Sequence, residues 1–323
     1  DIESGAVEIA RLRFWLAIVV DEKTPQALPN MDFKIMQGNS LVPTFGGKYV
    51  NLNDKKRHIN YQRISQNKTL LHKLQTEFYG SEANHKTELL IRIKFLILEI
   101  VKLQMDYEHQ LEIQNSAKTI DLFNPVVKEG ETDEEKANLI NLCIDLQKKL
   151  TDENNPISER AGIEIPFFDW RILFSEVFSS ENGGDGFDIV IGNPPYIDSE
   201  TMTRAMPDER NLFASLFKTA KGNWDMYIIF YEQGMSILKP DGTLSFITPN
   251  KWLSIGYGQK LRESCFQYLS AICDCQRIKV FEAGNEPVIC TLKKNNCSSI
   301  SISRFEENKT ISFVQNVDKR IID

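Results

Sequence analysis

Residues 186–200, GFDIVIGNPPYIDSE, decide how the chain is read. Phe187 to Ile191 is a short apolar, β-rich run between turn residues, the pattern of a strand buried on both faces inside a helix-covered sheet. Gly192 removes the Cβ where the chain leaves the sheet. Pro194 and Pro195 fix φ and donate no backbone hydrogen bond, so the segment is stiff and its carbonyls stay available as acceptors. In open α/β sheets ligands bind at the carboxyl ends of strands, which puts Asn193 and Tyr196 where chemistry is done. Taken alone, the tetrapeptide reads equally well as an Asn-Pro-Pro turn carrying a surface tyrosine, and the rest of the chain has to decide.

The 323 residues suffice for a full core and suggest about two domains. A hydrophobic content of 41% with 26% charged residues is that of an ordinary soluble protein. No apolar run is long enough for a membrane span, and the amino terminus lacks both an initiating methionine and the order of a signal peptide, which reads as a start inside a larger protein. Cys143, Cys265, Cys273, Cys275, Cys290 and Cys297 include no C-x2-C pair, so reduced, mostly buried thiols in a cytoplasmic protein are expected and no metal site is. The net charge of −7 argues mildly against a nucleic-acid binder taken as a whole. Charge is uneven, however: residues 53–102 carry ten Lys/Arg against five Asp/Glu, and residues 129–159 carry three against nine.

Apolar positions at helical spacing (Val7, Ile9, Ala10, Phe14, Leu16, Ile18) predict a helix over residues 3–20, and MDFKIMQGNSL reads as a strand ending at Gly38. From about Asn67 to Gln114 the pattern is long and helical, with Leu89, Ile93, Ile97, Ile100, Leu103, Tyr107 and Leu111 on one face. Leu139, Cys143, Leu146 and Leu150 form a second stripe after the acidic KEGETDEEK. Two such helices joined by a polar link suggest an antiparallel hairpin projecting from an α/β body. The α/β pattern then resumes: the 187–191 strand, a helix over Met226 to Leu238, a KPDG turn, the strand TLSFITP, a helix from Tyr257, and closing strands near Ile278–Phe281 and Val288–Leu292.

Five segments, DIESGAVEIARLRFWL, GNSL, GFDIVIGNPPYI, NWDMYIIFYEQGMSILKPDGTLSFITPNKWL and KVFEAGNEPVICTL, occur in the order of the motifs of amino-group DNA methyltransferases. The set resembles the N6-adenine methylase module of type IIG restriction-modification enzymes over roughly residues 1–41 and 165–293, and the helical stretch looks like insertions found in that group. The resemblance implies an α/β fold: a Rossmann-like S-adenosylmethionine-dependent methyltransferase sheet, first strand missing, with a long α-helical hairpin insertion. Its segments would be 1–50 and 161–298 for the methyltransferase, 51–160 for the insertion, and 299–323 for the start of the linker and target-recognition region. The implied activity is methyl transfer from S-adenosylmethionine to the N6 amine of an adenine flipped out of double-stranded DNA, within a restriction-modification or phage-defence system. The glycine-rich first motif would precede Asp1, so the chain alone is expected to be inactive and to bind cofactor weakly. A nuclease domain would lie upstream and a target-recognition domain after residue 300. The ExK-like string Glu134 to Lys136 in the acidic link reads as solvated charge.

The residues follow from the chemistry. An exocyclic adenine amine is a poor nucleophile because its lone pair is delocalised into the ring. Two rigid acceptors, the Asn193 side-chain oxygen and the Pro194 carbonyl, can take its protons and favour the pyramidal form, a preorganised electrostatic effect that needs no general base. Asn193, Pro194, Pro195 and Tyr196 are therefore the implied catalytic segment, with Asn193 also beside the cofactor. A flipped base has to be held by stacking, the role implied for Tyr196 and for Phe281, the latter reading also as a core strand residue. For the cofactor the resemblance implies Asp1, Ile2 and Glu3 at the ribose and Asn39 and Ser40 at the adenine, Asn39 standing where many relatives carry Asp. Asp225 and Tyr227 would line the pocket, an ordinary helix-start Asp being the competing account. A protein glutamine N5-methyltransferase, which solves the same planar-amide problem, and a non-catalytic scaffold of a defence complex are the alternatives.

Overall fold

The computed structural model describes residues 2–21, 31, 33–52, 60–118, 131–178, 185–277 and 286–321. The chain divides into two compact units, residues 1–179 and 180–323.

The first unit is mainly helical. Helix α1 (Ser4–Asp21) forms where the spacing predicts it, but of its apolar side chains only Val7 is buried, and Phe14 is 58% exposed. Strands β1 (Thr44–Phe45) and β2 (Lys48–Tyr49) follow, then α2 (Tyr61–Gly80), α3 (Ala83–Lys118), α4 (Glu131–Thr151) and α5 (Ile157–Gly162). Strand β3 (Phe167–Phe168) joins β1 and β2 in a small antiparallel sheet in the order β2-β1-β3, and α6 (Trp170–Leu173) closes the unit. The stripe Leu89, Ile93, Ile97, Ile100, Leu103 is buried on α3, as are Cys143 and Leu150 on α4, so burial follows the 3.6-residue period of the sequence.

In two places this unit differs from what its sequence pattern predicts. The 67–114 stretch is two helices, because the chain turns extended at Ser81 after Gly80, so three long helices pack where a two-helix hairpin was expected. They share one core with Phe33, Phe45, Val50, Phe167, Phe168, Ile172 and Leu173 and do not stand apart from it. MDFKIMQGNSL is not a strand among the described residues. Phe33 has φ 59°, Lys34 N–H donates to the Met31 carbonyl at 3.0 Å, and the Arg11 guanidinium holds the Ile35 carbonyl at 2.9 and 3.2 Å, which together make a turn.

The second unit is an α/β sheet, the class expected. Strand β4 (Phe187–Gly192) leads through α7 (Ser199–Ala205), α8 (Pro207–Leu216) and α9 (Tyr227–Ile237) into β5 (Leu238–Pro249). Then come α10 (Gln259–Cys265), β6 (Leu269–Asp274), β7 (Pro287–Lys293), β8 (Ser299–Phe305) and β9 (Ile311–Asp318). The strand order is β4-β5-β7-β6-β8-β9, with β4–β5 and β6–β8 parallel and the other pairs antiparallel. The parallel β4–β5 pair, connected through helices, is the Rossmann-like element.

Here too the structure differs in places. Strand β4 is an edge of the described sheet, pairing with β5 alone, and Ile189 and Ile191 are 68% and 80% exposed, so it is not the doubly covered strand its sequence suggests. The KPDG turn is absorbed into β5 as an irregularity: Asp241 has φ 63°, and the pairing jumps from Phe187↔Leu238 to Ile189↔Thr243. The strand expected near Ile278–Phe281 lies outside the described residues; β6 is instead at Leu269–Asp274, and β7 matches the Val288–Leu292 run. The stretch after residue 298, expected to start the linker and target-recognition region, forms β8 and β9, which pair into the sheet.

Candidate functional site

The end of β4 is built by local chain stiffness. Gly192, the last strand residue, pairs with Phe246, and a Cβ there would meet the Phe246 ring at 3.1 Å, a tight contact that glycine avoids. The next six residues, 193–198, have no regular structure. Asn193 is exposed, Pro194 is buried and Pro195 is exposed, so the first proline is anchored while the residue on either side of it meets solvent. Tyr196 is half-buried, and its hydroxyl donates to the Ile247 carbonyl of β5 at 3.3 Å, which fixes the ring's direction. Burial pushes the Tyr196 phenol up to about 12, with the nearby Cys275 thiol adding to the shift, so it is a neutral donor at physiological pH.

The segment after Tyr196 is clamped from the start of α9. Met226 N–H donates to the Ile197 carbonyl at 2.9 Å, and Ser199 N–H donates to Asp225 Oδ1 at 3.2 Å. The other carboxylate oxygen, Oδ2, accepts from the Tyr257 hydroxyl at 2.8 Å, and that hydroxyl lies 2.8 Å from the hydroxyl of Tyr227. Asp225 thus does not cap α9, whose N-cap is Met226 with no side-chain bond, and its two oxygens are engaged by the protein. Tyr227 is 1% exposed and turns its hydroxyl to Tyr257. Tyr257 and the Ile247 carbonyl carry parts of this arrangement that the sequence reading did not single out. The signal available for Tyr257 was its seat between two glycines, in SIGYGQK.

In the first unit, the segments expected to meet a cofactor come together. Gln37 Nε2 donates to the Ile2 carbonyl at 2.8 Å, tying the DIE segment to QGNSL. Glu3 is exposed at the start of α1, and its carbonyl accepts from Val7 N–H at 3.2 Å. Asn39 Oδ1 accepts from Leu41 N–H at 2.9 Å, so its amide nitrogen, a donor, is what it can offer a purine. The Ser40 carbonyl accepts from Trp170 Nε1 at 3.0 Å. Asp1 and Phe281 lie outside the described residues.

Residues 1–281 match the Eco57I restriction-modification methylase family. Similar proteins include the type II restriction enzyme and methyltransferase RM.Eco57I of Escherichia coli, 30% identical over 138 residues, which are 42% of this chain and 14% of that protein. Another is the type II methyltransferase M.XhoI of Xanthomonas vasicola, 38% identical over 76 residues, 24% of this chain and 13% of that protein. The chain therefore spans only a small part of the relatives it matches. Among solved structures, the type IIL restriction-modification enzyme MmeI in complex with DNA aligns with 88% of this chain and 42% of its own, at 12% identity and a TM-score of 0.34.

Proposed function

The chain belongs to the Eco57I restriction-modification methylase family, and from that premise we propose that it methylates the N6 amine of an adenine flipped out of double-stranded DNA, using S-adenosylmethionine. The single observation that carries the reading is an exposed Asn193 on a doubly proline-stiffened segment at the end of β4, beside a tyrosine whose hydroxyl is tied to the Ile247 carbonyl.

The Asn193 oxygen and the Pro194 carbonyl accept the two protons of the target amine and hold its nitrogen pyramidal. Because the prolines leave little conformational freedom, the acceptors cost no reorganisation as charge develops on nitrogen. Tyr196 stacks on the extruded base and excludes water from one face. Phe281 is the proposed second aromatic. S-adenosylmethionine, when bound, supplies a methyl group on an electron-poor sulfonium. The residues of the first unit fit such a nucleoside in kind: carboxylates at Asp1 and Glu3 suit ribose hydroxyls, and the Asn39 amide, with Ser40 next to it, suits a purine edge. In this reading the protein acts in the cytoplasm, as part of a restriction-modification system, with a nuclease domain upstream and a target-recognition domain downstream in the same polypeptide.

The test is Asn193→Ala in the intact protein, assayed by transfer of labelled methyl from S-adenosylmethionine to duplex DNA. Loss of one preorganised acceptor should lower the rate on the order of 100-fold or more. Because the side chain is exposed, unfolding free energy should stay within about 0.5 kcal/mol. Undiminished DNA methylation by the variant would overturn the proposal, and so would label going to a release factor and not to DNA.

A further inference from the structure

We infer that Tyr257 is a positioning residue for methyl transfer, acting through Asp225 on the segment that carries Asn193 and Tyr196. The inference rests on the reading of that segment as the methyl-transfer site.

The loop after β4 is held at three successive points. Tyr196 is tied through its hydroxyl to Ile247, Ile197 through its carbonyl to Met226, and Ser199 through its N–H to Asp225. The first two clamps are fixed by the backbone of β5 and of the start of α9. The third hangs on a side chain, and a carboxylate on a rotatable Cα–Cβ bond holds its direction only if something else fixes it. Tyr257 supplies that. Its hydroxyl donates to Asp225 Oδ2 at 2.8 Å, opposite the oxygen that takes Ser199 N–H, so the carboxylate is gripped from both sides. The Tyr257 hydroxyl is itself oriented by the Tyr227 hydroxyl, which is buried and has the Tyr257 oxygen at 2.8 Å. Burial raises both phenols, Tyr257 up to about 12, so each keeps its proton at physiological pH.

The backbone around Tyr257 is equally constrained. A Cβ on Gly258 would lie 2.1 Å from the Trp252 carbonyl oxygen, an approach only glycine permits. Arg262 Nη1 donates to the Trp252 and Ile255 carbonyls at 2.5 and 2.9 Å, closing the 252–262 turn. Trp252 is 2% exposed and packs on Tyr231, which bonds Thr248 of β5. Tyr257 is therefore presented from a rigid knot to a carboxylate that would otherwise be free to turn.

The experiment measures single-turnover methyl transfer to duplex DNA by the intact protein, comparing Tyr257→Phe, Asp225→Asn, Asp225→Ala and the Tyr257→Phe/Asp225→Ala double variant. Asn193→Ala runs alongside as the control for the site itself. Tyr257→Phe keeps the ring and removes the grip, so the rate constant should fall roughly tenfold, the size of one charge-assisted hydrogen bond, with KM for DNA and for cofactor unchanged. Asp225→Ala should fall at least as far, and the double variant no further, because both changes release the same segment. Asp225→Asn is the rescue: its oxygen still accepts from Ser199, its amide can donate to the Tyr257 oxygen, and the rate constant should stay within about threefold of wild type. A merely structural role would lower the reaction amplitude, the active fraction, and leave the rate constant alone. That result, a wild-type rate in Tyr257→Phe, or strictly additive losses in the double variant would overturn the inference. If Asn193→Ala retains activity, the site reading itself has failed; if it is dead while Tyr257→Phe is normal, only the positioning role has.

Discussion

Tyr196 offers two working parts, a ring and a hydroxyl, and they can be separated. In Tyr196→Phe the ring stays and one 3.3 Å hydrogen bond to Ile247 is lost. That distance is at the long end for an O–H donor, so the loss belongs near the low end of a neutral hydrogen bond, about 0.5 kcal/mol of stability. If the ring is what holds the extruded base, the methyl-transfer rate should stay within about threefold of wild type. In Tyr196→Ala the ring goes too. Stacking of one base is worth about 1 to 3 kcal/mol, which converts to a loss of roughly 5- to 150-fold. The assay is single-turnover transfer of labelled methyl from S-adenosylmethionine to a duplex with one target adenine, repeated with that adenine opposite a mismatch. Extruding a mismatched base costs less, so the deficit of Tyr196→Ala should shrink on the second duplex. Equal losses in Tyr196→Phe and Tyr196→Ala would mean that the hydroxyl, not the ring, does the work, and the stacking argument would be refuted.

Three further outcomes follow from the second unit. Tyr196 and Tyr257 are each raised by burial to about 12, and Tyr227 and Tyr231 are raised in the same direction, so the folded state keeps protons that the unfolded chain releases near pH 10. Their stabilisation is complete below about pH 10 and is lost as pH rises from there toward about 12; urea midpoints should fall across that window, less steeply in Tyr231→Phe, and a flat profile would contradict the assigned burial. Gly258→Ala drives a Cβ to 2.1 Å from the backbone oxygen of Trp252, which cannot swing away, and should cost about 1 to 3 kcal/mol. Gly234→Ala on α9 meets first the movable Leu244 Cδ1 at 2.4 Å and gains about 1 kcal/mol of helix propensity, so chemical denaturation should rank it the milder change, and the reverse order would count against the packing described here.

Much of the candidate site was legible because its causes are local. Two consecutive prolines stiffen a chain wherever they stand, and Asn193 stands exposed beside them. The stripes of α3 and α4 were legible for a similar reason: a helix buries one face by spacing alone, and Leu89 through Leu103 and Cys143 through Leu150 lie on that face. MDFKIMQGNSL is a segment whose local pattern does not decide its structure. Apolar residues alternating with polar ones fit a strand, and they fit equally a turn that buries Met31, Phe33 and Leu41 one by one, as here, where Arg11, 24 residues away, holds the Ile35 carbonyl.

By itself the sequence determined the stiff segment at the end of β4, the helical faces, the α/β class of the second unit and the family to which the chain belongs. Only the tertiary structure decided that β4 is an edge of the described sheet, that Tyr196 turns its phenol to Ile247, and that Asp225 spends both oxygens on Ser199 and Tyr257. The physical reason is range. Backbone stiffness and side-chain periodicity act between neighbours in the chain, whereas strand partners and the Tyr257–Asp225 bond, spanning 32 positions, exist only after packing has brought distant residues together.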